Sequence, residues 1–136
     1  MVTCMVWGLC ACGKKEPVKI ASKPMTEQYI LTEIIAQLIE AETDYEVEIT
    51  KGVGGGTTNI HPALVKGDFD LYPEYTRTAW LNVLKKEEME KDDQKLYEQL
   101  IAEYDGLGLT WTGLYGFSNT YGLAVRQDTA GQYGLN

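Results

Sequence analysis

The stretch VKIASKPMTEQYILTEIIAQLIEAETDYEVEIT, residues 18–50, predicts a strand, a helix and a second strand in succession. Residues 18–22 are mostly apolar, as in a short buried strand, and residues 45–50 alternate between polar and apolar. Between them we expect a helix with Thr26 as its N-cap. The apolar residues of that helix recur at helical spacing: Ile30, Ile34, Ile35, Leu38 and Ile39.

The same alternation continues along the chain. Residues 52–56 predict a turn, residues 63–66 a short helix, and residues 69–72 a third strand. A strand–helix–strand–helix–strand order predicts an α/β fold with a parallel-rich sheet and right-handed crossovers. The heavily charged residues 85–105 predict a solvated surface helix, and residues 120–126 predict a last strand.

Composition narrows the class of function. The chain has 136 residues, a net charge of −8 and 44% hydrophobic residues, which suits a domain with its own core. Such acidity argues against nucleic acid as a partner, because phosphate binding needs a basic face. The single histidine, His61, cannot form a histidine metal cluster, and we read it as a capping or packing residue.

All three cysteines lie near the start of the chain. Cys4, Cys10 and Cys12 leave the rest without a thiol, so a disulfide framework, a structural zinc site and a cysteine nucleophile are excluded there. Residues 1–12 are mostly apolar and end in LCAC, similar to a bacterial lipobox. We therefore expect a truncated lipoprotein signal peptide with Cys12 as the lipid anchor, followed by a tether over residues 13–17. The alternative is a fortuitously apolar leader.

An aromatic and acidic cluster occupies residues 67–80, GDFDLYPEYTRTAW. Tyr72 and Tyr75 flank a proline and a glutamate, in a segment too polar to be entirely core. Aromatic faces beside a carboxylate suit a desolvated organic cation, because the ring quadrupole attracts positive charge without a hydrogen bond. The alternative is that these rings simply pack under a loop.

The glycine run offers a competing site. Residues Gly52 to Gly56 precede a helix, so their backbone N–H groups are candidates for an anion cradle. The run matches neither the P-loop nor the dinucleotide-binding spacing. A close-approach turn between sheet and helix explains it at least as well, and the chain presents no convincing base for an enzyme acting on a phosphorylated substrate.

Four ordered motifs carry a family resemblance: VKIASKPMTEQYI, GGGTTNIHPAL, GDFDLYPEYTRTAW and GFSNTYGLAV. Together they resemble the substrate-binding proteins of osmoprotectant ABC importers, which bind glycine betaine, carnitine and choline. The resemblance covers nearly all of residues 18–136. It implies a periplasmic-binding-protein type II-like lobe, with residues 18–120 as a partial first lobe and residues 121–136 as a crossing strand that begins a truncated second lobe.

The resemblance also implies site residues. The family holds a trimethylammonium group in a tyrosine cage, and the matching positions here are Tyr75 and Tyr121. Lys23 and Thr78 match the residues that meet the solute carboxylate. Asn119 stands where some relatives have an aspartate. Arg77 replaces a glycine common in the family, and a guanidinium there would either strengthen carboxylate binding or repel the cation.

The resemblance implies a non-enzymatic receptor without cofactor or metal. It would capture a quaternary ammonium solute and deliver it to an ABC permease and ATPase. With the lipobox-like leader, it would be anchored through lipid to the outer face of the bacterial cytoplasmic membrane. Two alternatives stay open: the phosphorylated-substrate enzyme that uses the Gly52–Gly56 turn, and a regulatory ligand-sensing domain with the same fold.

Overall fold

The computed structural model describes residues 15–120 and 122–135. Its helices and strands follow the order expected of an α/β fold, and their bounds are these: β1 Val18–Ala21, α1 Thr26–Glu42, β2 Val47–Thr50, α2 Thr57–Lys66, α3 Thr76–Thr78, a π-helical turn Ala79–Val83, α4 Asp93–Asp105 and α5 Gln127–Tyr133. The two strands, the connecting helix α1 and the helix after β2 confirm the predicted strand–helix–strand–helix order.

The sheet is parallel, as predicted. Strand β1 pairs with β2 from Val18↔Val47 to Ala21↔Thr50, and α1 makes the crossover between them. The predicted third strand over residues 69–72 is wrong in extent, because only a single parallel bridge joins Leu71 to Ile20. An Asp70 carboxylate oxygen accepts the Lys19 N–H at 2.7 Å, and Pro73 then has no N–H to continue a ladder.

Three further expectations need correction. The helix α1 begins at Thr26, but its N-cap is Met25 and no side chain caps it. The helix expected over residues 85–105 begins only at Asp93, because Asp92 caps it by accepting the Lys95 N–H at 3.0 Å. The last strand expected over residues 120–126 does not form among residues 122–126, where no described strand offers a pairing partner.

The main apolar cluster lies between the π-helical turn and α4. Its buried members are Ala79, Trp80, Leu96, Leu100 and Tyr104. The predicted packing role of His61 is confirmed, since its ring meets Tyr104 edge-to-face at 5.6 Å between centroids. On α1, by contrast, Ile30, Ile34 and Leu38 are half-exposed, and the residues buried on that helix are Gln28, Thr32 and Ala36.

Candidate functional site

A buried ion pair joins β1 to the aromatic segment. Lys23, two residues beyond the end of β1, places its ammonium against the Glu74 carboxylate, and both side chains are almost fully buried. Glu74 also accepts hydrogen bonds from the Thr57 hydroxyl at 2.6 Å and from the Tyr75 N–H at 2.7 Å. One carboxylate therefore fastens the end of β1, the start of α2 and the aromatic segment to one another.

Two tyrosine rings flank the Lys23 ammonium. Its nitrogen lies 5.0 Å from the ring centre of Tyr75 and 5.9 Å from that of Tyr72, which is within cation–π range. The sequence predicts aromatic rings and a carboxylate around a positive charge. In the structure, the positive charge among these groups is the ammonium of Lys23. Burial, and then the negative charge of Glu74, raise the pKa of Tyr72 far above its ordinary value, so this phenol stays neutral.

The hydroxyl of Tyr75 is hydrogen-bonded to residues other than Lys23 and Glu74. It donates a hydrogen bond to the Glu27 carboxylate, and the Asn119 amide donates to the same carboxylate oxygen at 2.8 Å. The Asn119 nitrogen also lies 3.3 Å from the Tyr75 hydroxyl. The hydrogen bonds from Tyr75 and then Asn119 lower the pKa of Glu27. Burial and the bond to Glu27 raise the pKa of Tyr75, so the phenol remains a donor.

Sequence reasoning missed two residues of this cluster. Nothing in the local pattern distinguishes Glu27 from the other acidic residues of α1, although it lies just beyond the carboxyl end of β1, where α/β sheets place ligands. Gln28 is fully buried, and although its amide lies close enough to the Tyr75 phenol to act on its pKa, neither polar atom makes a hydrogen bond of ordinary geometry among the described residues. A buried amide left unpaired in this way is uncommon in folded proteins.

The structure brings some of the predicted site residues together and leaves others apart. Lys23, Tyr75 and Asn119 lie in one hydrogen-bonded or cation–π cluster. Thr78, in α3, makes no side-chain hydrogen bond within the described part of the chain. Tyr121 and the predicted lipid anchor Cys12 lie outside the described residues.

Arg77 faces α4. Its guanidinium lies 3.6 Å from the Asp93 carboxylate, and both side chains are more than half exposed. The guanidinium is therefore paired with the first residue of α4, and the two roles considered for it beside the cage stay predictions.

Of the aromatic residues that precede Asn119, Trp111 packs on the main apolar cluster, whereas Tyr115 and Phe117 pack on each other. Trp111 packs edge-to-face on Tyr104 at 5.4 Å, extending the main apolar cluster. Tyr115 instead stacks on Phe117, with 5.8 Å between centroids, and both rings are about half exposed. Burial and then the charge of Tyr75 raise the pKa of Tyr115.

The glycine turn uses its backbone internally. Gly55 and Gly56 have positive φ angles of 77° and 53°, which L-residues with side chains rarely adopt. The N–H of Gly56 donates to the Val53 carbonyl at 3.1 Å, and the Asn59 amide closes the turn on the Gly54 carbonyl at 2.7 Å. This geometry fits a close-approach turn, and it does not test the anion cradle.

Two surface depressions lie away from the candidate site. Two depressions on the described surface have volumes of about 970 and 380 Å³, and neither is lined by Lys23, Glu27, Glu74 or Tyr75. The larger one lies between Trp80, residues 86–91 and α4, among mostly charged side chains. Among residues 15–120 and 122–135 there is no group of three or more potential ligands that would hold a metal ion. No described helix has both the length and the apolar character needed to cross a membrane.

Curated relatives share a substantial part of this sequence. The chain is 46% identical over 123 residues to the ergothioneine transport permease/ergothioneine binding protein EgtU of Helicobacter pylori, covering 90% of this chain and 22% of that protein. It is 34% identical over 125 residues to the carnitine transport binding protein OpuCC of Listeria monocytogenes, covering 91% of this chain and 40% of that protein. The chain therefore spans less than half the length of these relatives.

Solved structures and a family model agree with these relatives. Apo YehZ from Escherichia coli matches with a TM-score of 0.70 at 30% identity, over 89% of this chain and 43% of that one. The crystal structure of a glycine betaine/carnitine/choline ABC transporter matches with a TM-score of 0.68 at 29% identity, over 89% of this chain and 45% of that one. The model for the substrate-binding domain of ABC-type glycine betaine transport systems matches residues 16–136. The chain belongs to that family of substrate-binding domains.

Proposed function

We propose that the protein is the solute-binding component of an ABC importer and that it captures a quaternary ammonium solute. The observation that carries the proposal is the fixed Tyr75 ring, whose hydroxyl is bound by Glu27 and whose backbone N–H is bound by Glu74. An aromatic face held this firmly is a preorganised wall for a cation. The two relatives are named for ergothioneine and carnitine and the family model for glycine betaine, and all three molecules carry a trimethylammonium group.

The chemistry of the cluster supports such a ligand. A trimethylammonium group has no N–H to donate, so its charge must be met by ring faces and by carboxylates that act through the field. Simple ammonium ions are disfavoured in such a cage, because they lose hydrogen bonds to water that the rings do not replace. We assign Tyr75 and Tyr121 to the cage walls and Asn119 to the support of Tyr75.

A zwitterionic solute also needs a partner for its carboxylate. We assign Thr78 to that role as a hydroxyl donor. The charge of the Lys23 ammonium is compensated by Glu74. We therefore assign Lys23 chiefly to holding the Tyr72 and Tyr75 rings in position. Delivery to a permease and its ATPase, an extracytoplasmic location and lipid anchoring through Cys12 complete the proposal, and no catalytic step forms part of it.

Calorimetric titration of the full-length protein with choline, glycine betaine, carnitine and ergothioneine tests this function. We expect saturable binding of at least one of them, and no binding of ammonium chloride at the same concentrations. Absence of binding for all four, in a protein that unfolds cooperatively on heating, would overturn the proposal.

A further inference from the structure

Two carboxylates of the cluster differ in what compensates their charge. Glu74 is paired with the Lys23 ammonium in a buried salt bridge. Glu27 receives its described hydrogen bonds from the Tyr75 hydroxyl and the Asn119 amide, both neutral donors. Within the described residues no lysine or arginine forms an ion pair with Glu27, so its negative charge remains uncompensated at the edge of the site.

We propose that Glu27 is a specificity-determining residue whose carboxylate makes the site select solutes by positive charge. This inference rests on the proposed function and names a residue that supplies the field for it. The charges of Lys23 and Glu74 cancel, so Glu27 leaves this half of the site with a net negative charge. A cation that approaches the Tyr75 ring meets that charge.

The geometry ties the charge to the ring. Because the Tyr75 hydroxyl donates directly to Glu27, the carboxylate is fixed at the edge of the ring that the cation would contact. A cation within about 6 Å of the ring centre is then also within Coulombic reach of Glu27. Neutral donors hold the carboxylate in place without cancelling its charge, as a lysine or arginine would.

The position of Glu27 in the helix offers one competing explanation for its presence. The residue lies in the first turn of α1, where an acidic side chain is favoured by the helix dipole, so a purely structural role is the competing explanation. A structural role affects every ligand of the site alike. A role through charge affects a cation more than an uncharged molecule of the same shape.

The test uses choline and its uncharged carbon isostere, 3,3-dimethylbutan-1-ol, in the full-length protein. Affinity for choline is measured by calorimetry, and affinity for the alcohol by its displacement of choline. The ratio of the two affinities reports charge selectivity. The variant is Glu27→Gln, which keeps the shape of the side chain, and Glu27→Ala replaces it if the first variant does not fold.

The control is Glu42→Gln. Glu42 is the exposed last residue of the same helix, so this variant removes one negative charge without touching the cluster. We expect the ratio to fall about tenfold in the Glu27 variant and to stay unchanged in the control.

Each outcome has a distinct meaning. Weaker binding of both probes with an unchanged ratio would overturn the role of Glu27 and leave the receptor function standing. A ratio that falls equally in Glu42→Gln would also overturn it, because the effect would then come from net charge alone. If no member of the solute panel binds the unmodified protein, the proposed function fails and this inference fails with it.

Discussion

Lys23 and Glu74, 51 residues apart in sequence, form an ion pair in which both side chains are almost completely withdrawn from solvent. Burying two charges carries a desolvation cost that is offset only when the pair is also well hydrogen-bonded. The Thr57 hydroxyl and the Tyr75 N–H supply those further bonds to Glu74. The pair therefore stabilises the segment that carries the Tyr72 and Tyr75 rings.

Breaking one side of this pair should destabilise the protein strongly. Glu74→Gln leaves the Lys23 ammonium buried without a counter-charge, and we expect a loss of about 3–5 kcal/mol in the free energy of unfolding. The measurement is urea denaturation of the full-length protein, followed by fluorescence. The double variant Lys23→Met/Glu74→Gln removes both charges and should recover most of the loss. A double variant as unstable as the single one would contradict an uncompensated-charge mechanism.

The same double variant distinguishes two roles for Lys23 in binding. Only glycine betaine carries a carboxylate that Lys23 could contact. If Lys23 acts only through Glu74, choline and glycine betaine should therefore lose affinity to within about threefold of each other. A direct contact between Lys23 and the solute carboxylate predicts a selective loss of glycine betaine by tenfold or more. Paired titrations of the two solutes decide between these outcomes.

The parts of the fold that sequence reasoning predicted depend on local patterns. Strand β1, helix α1 and strand β2 follow from apolar periodicity over consecutive residues, and the parallel pairing follows from the helical crossover. The predicted third strand does not extend beyond a single bridge, for a reason that its own sequence pattern does not show. The Asp70 carboxylate takes a backbone N–H of β1 that a ladder would otherwise use.

The candidate site was predicted in its residue types and missed in its pairings. Lys23, Tyr75 and Asn119 follow from motifs that carry the family resemblance. That Glu74 compensates Lys23, and that Glu27 holds Tyr75, are contacts across 51 and 48 residues. Spacing along a sequence does not reveal which carboxylate meets which partner, because the folded sheet decides it.

The Thr57 hydroxyl should contribute measurably to the buried network. Thr57→Val keeps the shape and removes the donor to Glu74, so we expect a loss of about 1–2 kcal/mol in the free energy of unfolding. The neighbouring Thr58 is exposed and makes a matched control. Urea denaturation of both variants checks the expectation. Equal effects of Thr57→Val and Thr58→Val would show that the bond to Glu74 contributes nothing.

Acid should remove the contribution of Glu27 to stability. Its folded-state pKa lies below the ordinary value of 4.5, because Tyr75 and Asn119 bind the charged form. The contribution is therefore present above pH 4.5 and is lost as the pH falls through the lowered folded-state pKa. The urea midpoint of the unmodified protein should approach that of Glu27→Gln over this window. Two curves that stay parallel to the lowest pH at which the protein folds would contradict the expectation.

The Tyr75 ring and its hydroxyl should contribute separately to solute binding. Tyr75→Ala removes the aromatic face and should weaken choline binding by about tenfold or more, whereas Tyr75→Phe keeps the face and loses the hydroxyl with its bonds to Glu27 and Asn119. Because Asn119 still donates to Glu27 in the phenylalanine variant, we expect a loss of only about threefold there. Tyr45→Ala is the control, since that ring is exposed and lies near Lys15, away from the cluster. Calorimetric titration of all three variants gives the order of affinities. Equal losses for Tyr75→Ala and Tyr75→Phe would mean that the hydroxyl, through Glu27, carries the whole effect and that the ring face does not contact the cation.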